Sequence, residues 1–230
     1  SDMAIGIALL LGFRFLDNFR APFKSQSPTE FWHRWHISLS TWLRDYVYIP
    51  MGGNRCGKFR RHVNLMTTMV VGGIWQGASW MFMIWGSLQG IFLVGHKMLF
   101  GGSKKNRDME KKASRWRIAL NIFVTFNLIA FSFMFFRARS MSDIGDMATQ
   151  IFNDFHPEVA AQFIEGYLMI VLVIIGAMIF HFLPTDWSDK AKKGYSKTPL
   201  LVQALVLAIV IFIVIQTRQS DIMPFIYFQY

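Results

Sequence analysis

Four long apolar segments constrain the fold of this chain more than any other feature. They cover residues 78–96, 118–136, 163–183 and 200–216, and Glu165 is their only formally charged residue. Each segment is close to the roughly 17–25 residues that span the hydrocarbon core of a bilayer. With a hydrophobic content of 53%, these segments predict an all-α, polytopic transmembrane helix bundle rather than a soluble protein.

The formal net charge of +10 comes from basic clusters in the loops between the apolar segments. These clusters begin at Arg55, Lys97 and Lys190, whereas the loop after Phe136 carries Asp143, Asp146, Asp154 and Glu158. Basic loops are retained on the cytoplasmic side of a membrane, so we expect the three clusters inside and the acidic loop outside. A charge of this origin predicts contact with membrane lipid and argues against nucleic acid as a partner.

The sequence predicts no metal site and no bound cofactor. Cys56 is the single cysteine, which excludes an internal disulfide and a cysteine zinc cluster. His33 and His36 are three positions apart, but no acidic residue stands at a spacing that would complete a metal site.

Residues 30–46 are too polar on one face to cross lipid, so we predict an interfacial helix that begins near Ser27 or Thr29. Read as one continuous helix, its apolar side carries Trp32, Trp35, His36, Leu39, Ser40 and Leu43. For the polar side we predict a structural ion network formed by Arg34, Arg44, Asp45 and Asn54.

Residues 63–93 are flanked by basic loops at both ends, so both ends are predicted to lie on the same membrane face. The apolar run before Gly72 is too short to span a bilayer. A re-entrant or bent intramembrane hairpin, with its bend within residues 72–77, accounts for both observations. Non-helical backbone at that depth must face protein or water, so Gln76 is predicted to line a cavity.

One run of residues is specific enough to indicate a family. It reads FWHRWHISLSTWLRDYVYIPMGGNR over residues 31–55, and it resembles the signature of the membrane-bound O-acyltransferase (MBOAT) family in its bacterial alginate O-acetylation branch. Runs at residues 1–6, 126–128 and 135–138 support the resemblance, which is weakest over residues 154–220. It matches the C-terminal part of family members, so we expect residues 1–230 to be the C-terminal part of a single membrane domain whose N-terminal helices are missing.

The resemblance implies a membrane-bound O-acyltransferase of the bacterial cytoplasmic membrane. Such a protein moves an acyl group, here expected to be acetyl, to hydroxyls of a cell-surface or exported polysaccharide. The implied donor is acetyl-CoA or an acyl carrier. The implied partners are the polysaccharide acceptor or a periplasmic acetyl-transfer protein.

Two glutamines depart from the family pattern. The family's catalytic histidine lies in a Trp-His-Gly triplet, which reads Trp75-Gln76-Gly77 here, and a second family histidine corresponds to Gln89. A glutamine amide does not accept a proton near neutral pH, so losing the base should lower the rate by about 10²–10⁴-fold. The alternative function is therefore a non-catalytic MBOAT-like membrane scaffold or acyl channel.

His36 is the histidine of the signature that the resemblance places at the active chamber. Two roles remain open for it: a surviving general base, because histidine titrates near neutrality, or a partly buried residue that holds its neighbours in place. The candidate catalytic positions are thus Gln76 and His36. The resemblance implies a substrate channel lined by Trp32, Trp35, Trp75, Ser79, Trp80 and Gln89.

Overall fold

The computed structural model describes residues 2–101 and 114–216, and these ranges contain helices and loops but no strand. They form two compact units that divide between Phe163 and Ile164. The first unit contains α1 (Asp2–Leu10), α2 (Pro28–Arg34), α3 (Ile37–Leu43), α4 (Lys58–Gln76), α5 (Trp80–Leu99), α6 (Arg115–Arg137) and α7 (Met141–Phe152). Helix α8 (Val159–Gly166) crosses the division, and the second unit continues with α9 (Leu168–Phe182), α10 (Thr185–Tyr195) and α11 (Leu200–Gln216).

Helices α4 and α5 form the predicted hairpin, packed antiparallel at very short range. A Cβ on Gly86 would lie 2.5 Å from the Met69 carbonyl oxygen, and one on Gly90 would lie 2.5 Å from the Met66 sulfur. At Gly86, only glycine permits such close contact between the two backbones. The basic start of α4 and the end of α5 therefore lie at the same end of the hairpin.

The bend of the hairpin begins at the last residue of the predicted region 72–77 and extends to residue 79. Gly72 and Gly73 lie inside α4, which continues to Gln76, and the chain turns over residues 77–79 before Ser79 caps α5 by accepting a hydrogen bond from the Met81 N–H. The glycine pair itself does not form the bend, because it lies inside α4 and serves helix packing. A Cβ on Gly73 would collide with the Phe82 carbonyl oxygen of α5.

The predicted interfacial helix is interrupted in its middle. Helix α2 starts as expected, with the Ser27 hydroxyl accepting from the Glu30 N–H at 3.1 Å and Pro28 in the first turn. His36, however, has left-handed backbone angles (φ 43°, ψ 55°) and separates α2 from α3. A π-helical turn (Arg44–Tyr48) follows. The single-helix reading of residues 30–46 was therefore wrong, because one left-handed residue changes the direction of the chain.

The core of the first unit joins α2, α4, α5 and α6. Its buried apolar residues are Phe31, Trp32, Met69, Trp85, Leu93, Ile129 and Phe135. Helix α2 is too short to be stable alone in water, so its two buried aromatic rings fix its position against the longer helices.

Among the described residues, α6 is the one unbroken helix that is long and apolar enough to cross a membrane. Helices α8 and α9 pass that test only as a pair, and they meet at a bend of 89°. The predicted segment 118–136 thus coincides with α6, whereas the segment 163–183 is broken at Tyr167. Helix α11 is apolar but shorter, and α5, the helix of the predicted segment 78–96, does not meet the test.

In the second unit, hydrogen bonds in the polar turn between α10 and α11 hold these two helices together. The Tyr195 hydroxyl donates to the Gln203 carbonyl oxygen at 3.1 Å, and the Gln203 amide donates to the Thr198 carbonyl oxygen at 2.9 Å, which ties the end of α10 to the start of α11. Most large apolar side chains of α9 and α11 are exposed. Exposed apolar surface of this extent is typical of contact with lipid or other protein.

The predicted basic loop after Lys97 is only partly described. Its residues Lys104, Lys105, Arg107, Lys111 and Lys112 lie outside the described residues.

Candidate active site

His36 is positioned by its backbone. Its left-handed conformation at the start of α3 turns the imidazole toward aromatic rings, with ring centroids 6.3 Å from Trp75 and 6.1 Å from Phe19. The Nδ1 atom is buried and has no hydrogen-bond partner among the described residues. Left-handed backbone angles cost conformational energy in a non-glycine residue, and such strained residues cluster at functional sites.

Burial lowers the pKa of the His36 imidazole below its ordinary value, and a weaker interaction with its own backbone opposes that shift. The ring is therefore neutral at physiological pH, and a neutral imidazole can accept a proton. An unpartnered ring nitrogen in this state has the chemistry of a general base.

Gln76 is the last residue of α4 and is only 7% exposed. The next residue, Gly77, is extended and packs so closely on the Phe82 ring that a side chain there would collide with it. The ring contact between His36 and Trp75 brings both candidate catalytic positions to the same end of α4. This end is opposite to the basic end of the hairpin.

Gln89 is completely buried and joins three helices. The Trp32 indole N–H donates to Gln89 Oε1 at 3.1 Å, and Gln89 Nε2 donates to the Ser132 hydroxyl at 2.7 Å. The Ser132 hydroxyl in turn donates to the Ile129 carbonyl oxygen at 2.7 Å. A glutamine can serve both partners because its amide carries a donor and an acceptor. We call the side chains of Trp32, Gln89 and Ser132 the amide bridge.

The other predicted channel residues are spread over different environments. Trp35 stacks on Phe31 with ring centroids 5.4 Å apart. Trp80 is 75% exposed, and Ser79 caps α5. The structure therefore brings His36 to Trp75 and Trp32 to Gln89, but it does not join all six residues in one channel wall.

The predicted ion network consists of separate local contacts. Arg34 pairs with Glu30 at 2.8 Å, and Arg44 pairs with Asp45 at 2.7 Å. The Tyr48 hydroxyl donates to Asn54 Oδ1 at 2.9 Å.

Sequence reasoning missed Ser132, which completes the amide bridge. The available signal was a hydroxyl residue in an otherwise apolar helix, where such residues commonly hydrogen-bond to a neighbouring helix. A cavity of about 720 Å³ between α5 and α6 was also missed, and none of the predicted site residues line it.

Comparison with known proteins places these features in a family. Residues 1–138 match the membrane-bound O-acyltransferase family model. The chain is 36% identical to the probable alginate O-acetylase AlgI of Pseudomonas putida over 248 aligned positions, which cover 100% of this chain and 49% of that protein. It is also 41% identical to the peptidoglycan O-acetyltransferase of Helicobacter pylori over 140 positions, covering 61% and 25%.

A third relative is named for D-alanyl transfer. The teichoic acid D-alanyltransferase of Streptococcus thermophilus is 35% identical over 150 positions, covering 59% of this chain and 36% of that protein. The chain spans about half or less of the length of these curated relatives. The family match covers more than half of the chain and includes the complete His36 and Gln76 region. The chain therefore belongs to the membrane-bound O-acyltransferase family.

Proposed function

We propose that this chain forms the hydroxyl-activating part of a multi-pass O-acyltransferase of the bacterial cytoplasmic membrane, which moves an acetyl group to a cell-surface or exported polysaccharide. The observation that carries the proposal is His36, which has a left-handed backbone and a buried Nδ1 with no hydrogen-bond partner among the described residues. It lies against Trp75, next to the position of the family histidine. An alginate O-acetylase and a peptidoglycan O-acetyltransferase among the relatives support acetyl transfer to a glycan.

In the proposed reaction, His36 takes the proton of the acceptor hydroxyl while the hydroxyl oxygen attacks the acyl carbonyl. The carbonyl oxygen then becomes an oxyanion, which a preorganised N–H donor stabilises. The Gln76 amide can donate to that oxyanion, although it cannot serve as the base. Collapse of the intermediate breaks the C–S bond of the acyl-CoA or acyl-carrier thioester, the His36 imidazolium returns its proton to the departing thiolate, and the ester remains.

The test is to restore the family histidine. Gln76→His in the full-length protein should raise acetylation of the cognate polysaccharide by about 10²–10⁴-fold, because the restored imidazole adds general-base catalysis to the slow proton transfer that His36 supports alone. Gln150→His, on the exposed face of α7, is the matched control and should leave the rate unchanged. Equal rates for the unmodified protein and Gln76→His would show that position 76 does not limit proton transfer.

A second measurement separates a base from a structural residue. His36→Gln should abolish the activity of the Gln76→His variant while preserving protein yield if the imidazole takes the proton. Loss of yield together with activity would assign His36 a structural role instead.

The alternative proposal is a non-catalytic scaffold or acyl channel. The amide bridge favours it, since Gln89 occupies a second family histidine position and both its amide oxygen and its amide nitrogen form hydrogen bonds between helices. No acetyl transfer by the full-length protein, with or without Gln76→His, would support this alternative.

A further inference from the structure

Helix α10 lies between two uncharged helices of the second unit and differs from both in charge. Helices α9 and α11 contain no Asp, Glu, Lys or Arg. The segment between them carries four exposed lysines, which are Lys190, Lys192, Lys193 and Lys197. Its two acidic residues, Asp186 and Asp189, both precede the lysines in the sequence. The positive charge is therefore concentrated at the C-terminal end of α10.

The connection to α9 keeps α10 close to the surface of a membrane. Most large apolar side chains of α9 are exposed, which suits contact with lipid. Phe182 ends α9 and Thr185 begins α10, so their Cα atoms are at most about 11 Å apart at 3.8 Å per residue step. The headgroup layer on each side of the hydrocarbon core is about 5–8 Å thick. When α9 is embedded in lipid, the start of α10 therefore lies within or beside the headgroups.

Two prolines make α10 a separate element rather than an extension of its neighbours. Pro184 precedes its first residue, and Pro199 precedes α11. Proline cannot continue a helix because its ring clashes with the preceding turn. The hydrogen bond from the Tyr195 hydroxyl to the Gln203 carbonyl oxygen then attaches the end of α10 to the first turn of α11. Both ends of α10 are thus joined to apolar helices.

The side chains of α10 separate into an aromatic face and basic flanks. Successive residues of a helix are about 100° apart, so Trp187, Ala191 and Tyr195 lie along one face. Lys190 and Lys192 lie about 100° to either side of Ala191. Trp187 is 59% exposed and Tyr195 is 42% exposed, so the described part of the chain leaves this face largely uncovered.

An aromatic face between lysines suits the interface of a bilayer. Tryptophan and tyrosine rings are enriched at the headgroup level, because they combine an apolar body with a polar N–H or O–H. Lysine stems lie along apolar surface while their ammonium groups reach toward the headgroups. Helices with this pattern lie in the plane of the interface. Nucleic acid or an acidic protein would use the lysines but would leave the Trp187 face in water.

We propose that α10 lies in the membrane interface and binds the headgroups of anionic phospholipid. In this arrangement Trp187 and Tyr195 face the acyl chains, and the lysines contact the phosphates. Each lysine near an anionic surface strengthens the attraction by about fivefold. The proposal does not depend on acyl transfer, because none of these residues belongs to the candidate active site.

The test measures which lipid contacts Trp187 in the full-length protein. The protein is placed in phosphatidylcholine vesicles with a fixed fraction of brominated lipid, which quenches tryptophan on contact, and the signal of Trp187 is the difference from Trp187→Phe. Brominated phosphatidylglycerol should quench that signal with an apparent affinity at least fivefold higher than brominated phosphatidylcholine, which is the effect of one lysine. High salt should reduce this preference, because the lysines are exposed.

Replacing all four lysines with glutamine should bring the preference for phosphatidylglycerol to about onefold, since the attraction to the anionic surface is lost. Quenching by brominated phosphatidylcholine should persist in that variant, because the aromatic face stays in lipid. Replacing the same lysines with arginine is the matched control and should keep the preference. Should the fourfold glutamine variant give a poor yield, Lys193→Gln combined with Lys197→Gln should lower the preference in the same direction.

Two results would overturn the proposal. If neither brominated lipid quenches Trp187, the aromatic face contacts water or protein instead of the bilayer. If the glutamine and arginine variants show the same preference as the unmodified protein, the lysines do not bind anionic headgroups. Neither result bears on the proposed function, because acetyl transfer is measured separately.

Discussion

The amide bridge offers the sharpest test of how this fold is held together. Gln89→Leu preserves the approximate side-chain size but removes both hydrogen bonds, at 3.1 and 2.7 Å, from a fully buried site. The Trp32 indole N–H then has no acceptor, at a cost of about 1–3 kcal/mol. Loss of the bond to Ser132 adds about 0.6 kcal/mol, the average for hydrogen bonds between membrane helices. We therefore expect the free energy of unfolding to fall by about 2–3 kcal/mol.

A double-mutant cycle isolates the bond between Trp32 and Gln89. Trp32→Phe removes the N–H donor, so the second substitution, Gln89→Leu, no longer leaves a donor unpaired. The combined loss should be smaller than the sum of the single losses by about 1 kcal/mol. Unfolding in bicelles or detergent, followed for the full-length protein and all three variants, gives the four free energies.

Ser87→Ala is the matched control on the same helix, because the one hydrogen bond of its hydroxyl within the described part of the chain goes to the Met83 carbonyl oxygen of α5. It should cost less than about 0.5 kcal/mol, as for substitutions away from special features. Strict additivity of Trp32→Phe and Gln89→Leu would refute the reasoning, since it would mean that the two side chains do not share a hydrogen bond in the folded protein.

Two further predictions concern the hairpin and His36. Gly86→Ala should destabilise the protein by about 1–3 kcal/mol, because the added Cβ would lie 2.5 Å from the Met69 carbonyl oxygen and overpack the interface between α4 and α5. Gly95→Ala is the control, since there is open space around the position of its Cβ. Equal thermal unfolding midpoints for the two variants would contradict the close contact at Gly86. Burial lowers the pKa of His36 in the folded state. As the pH falls through the ordinary histidine pKa of about 6.5, the unfolded state therefore binds more protons than the folded state. The contribution of His36 to the free energy of unfolding should be complete above that pH and should decrease as the pH decreases. His36→Asn, which tolerates left-handed backbone angles, should flatten that pH dependence of the unfolding midpoint, and an unchanged profile would refute the assignment.

The sequence was most informative where a single local rule decides the structure. Ser27 and Pro28 marked the start of α2, and the uncharged run after Arg117 marked α6, because capping and hydrophobic length depend on neighbouring residues alone. The hairpin followed from the basic residues at both of its ends. Its exact bend did not, because Gly73 looks the same in sequence whether it breaks a helix or lets two helices touch.

The candidate site required knowledge of the fold. Helical periodicity through residues 30–46 gives no sign that His36 is left-handed, since non-glycine residues rarely adopt that conformation and the tertiary structure imposes it. Gln89 and Ser132 are far apart along the chain, so their hydrogen bond depends on how α5 packs against α6. The family resemblance identified the important positions, whereas the structure showed which side chains touch.

The close packing of α4 against α5 sets a fixed distance between the positive charges at the basic end of the hairpin and the candidate catalytic residues at its other end. Arg61, at the basic end, and Gln76, at the bend, lie on the same helix, and the axis between them is about 22 Å long at 1.5 Å per residue. A donor that is held only at the basic end must therefore carry its acyl group on a long, flexible arm to reach His36. Acetyl phosphate, in which the acyl carbon is bonded directly to the phosphate group, is too short to bridge that distance and should fail as a donor.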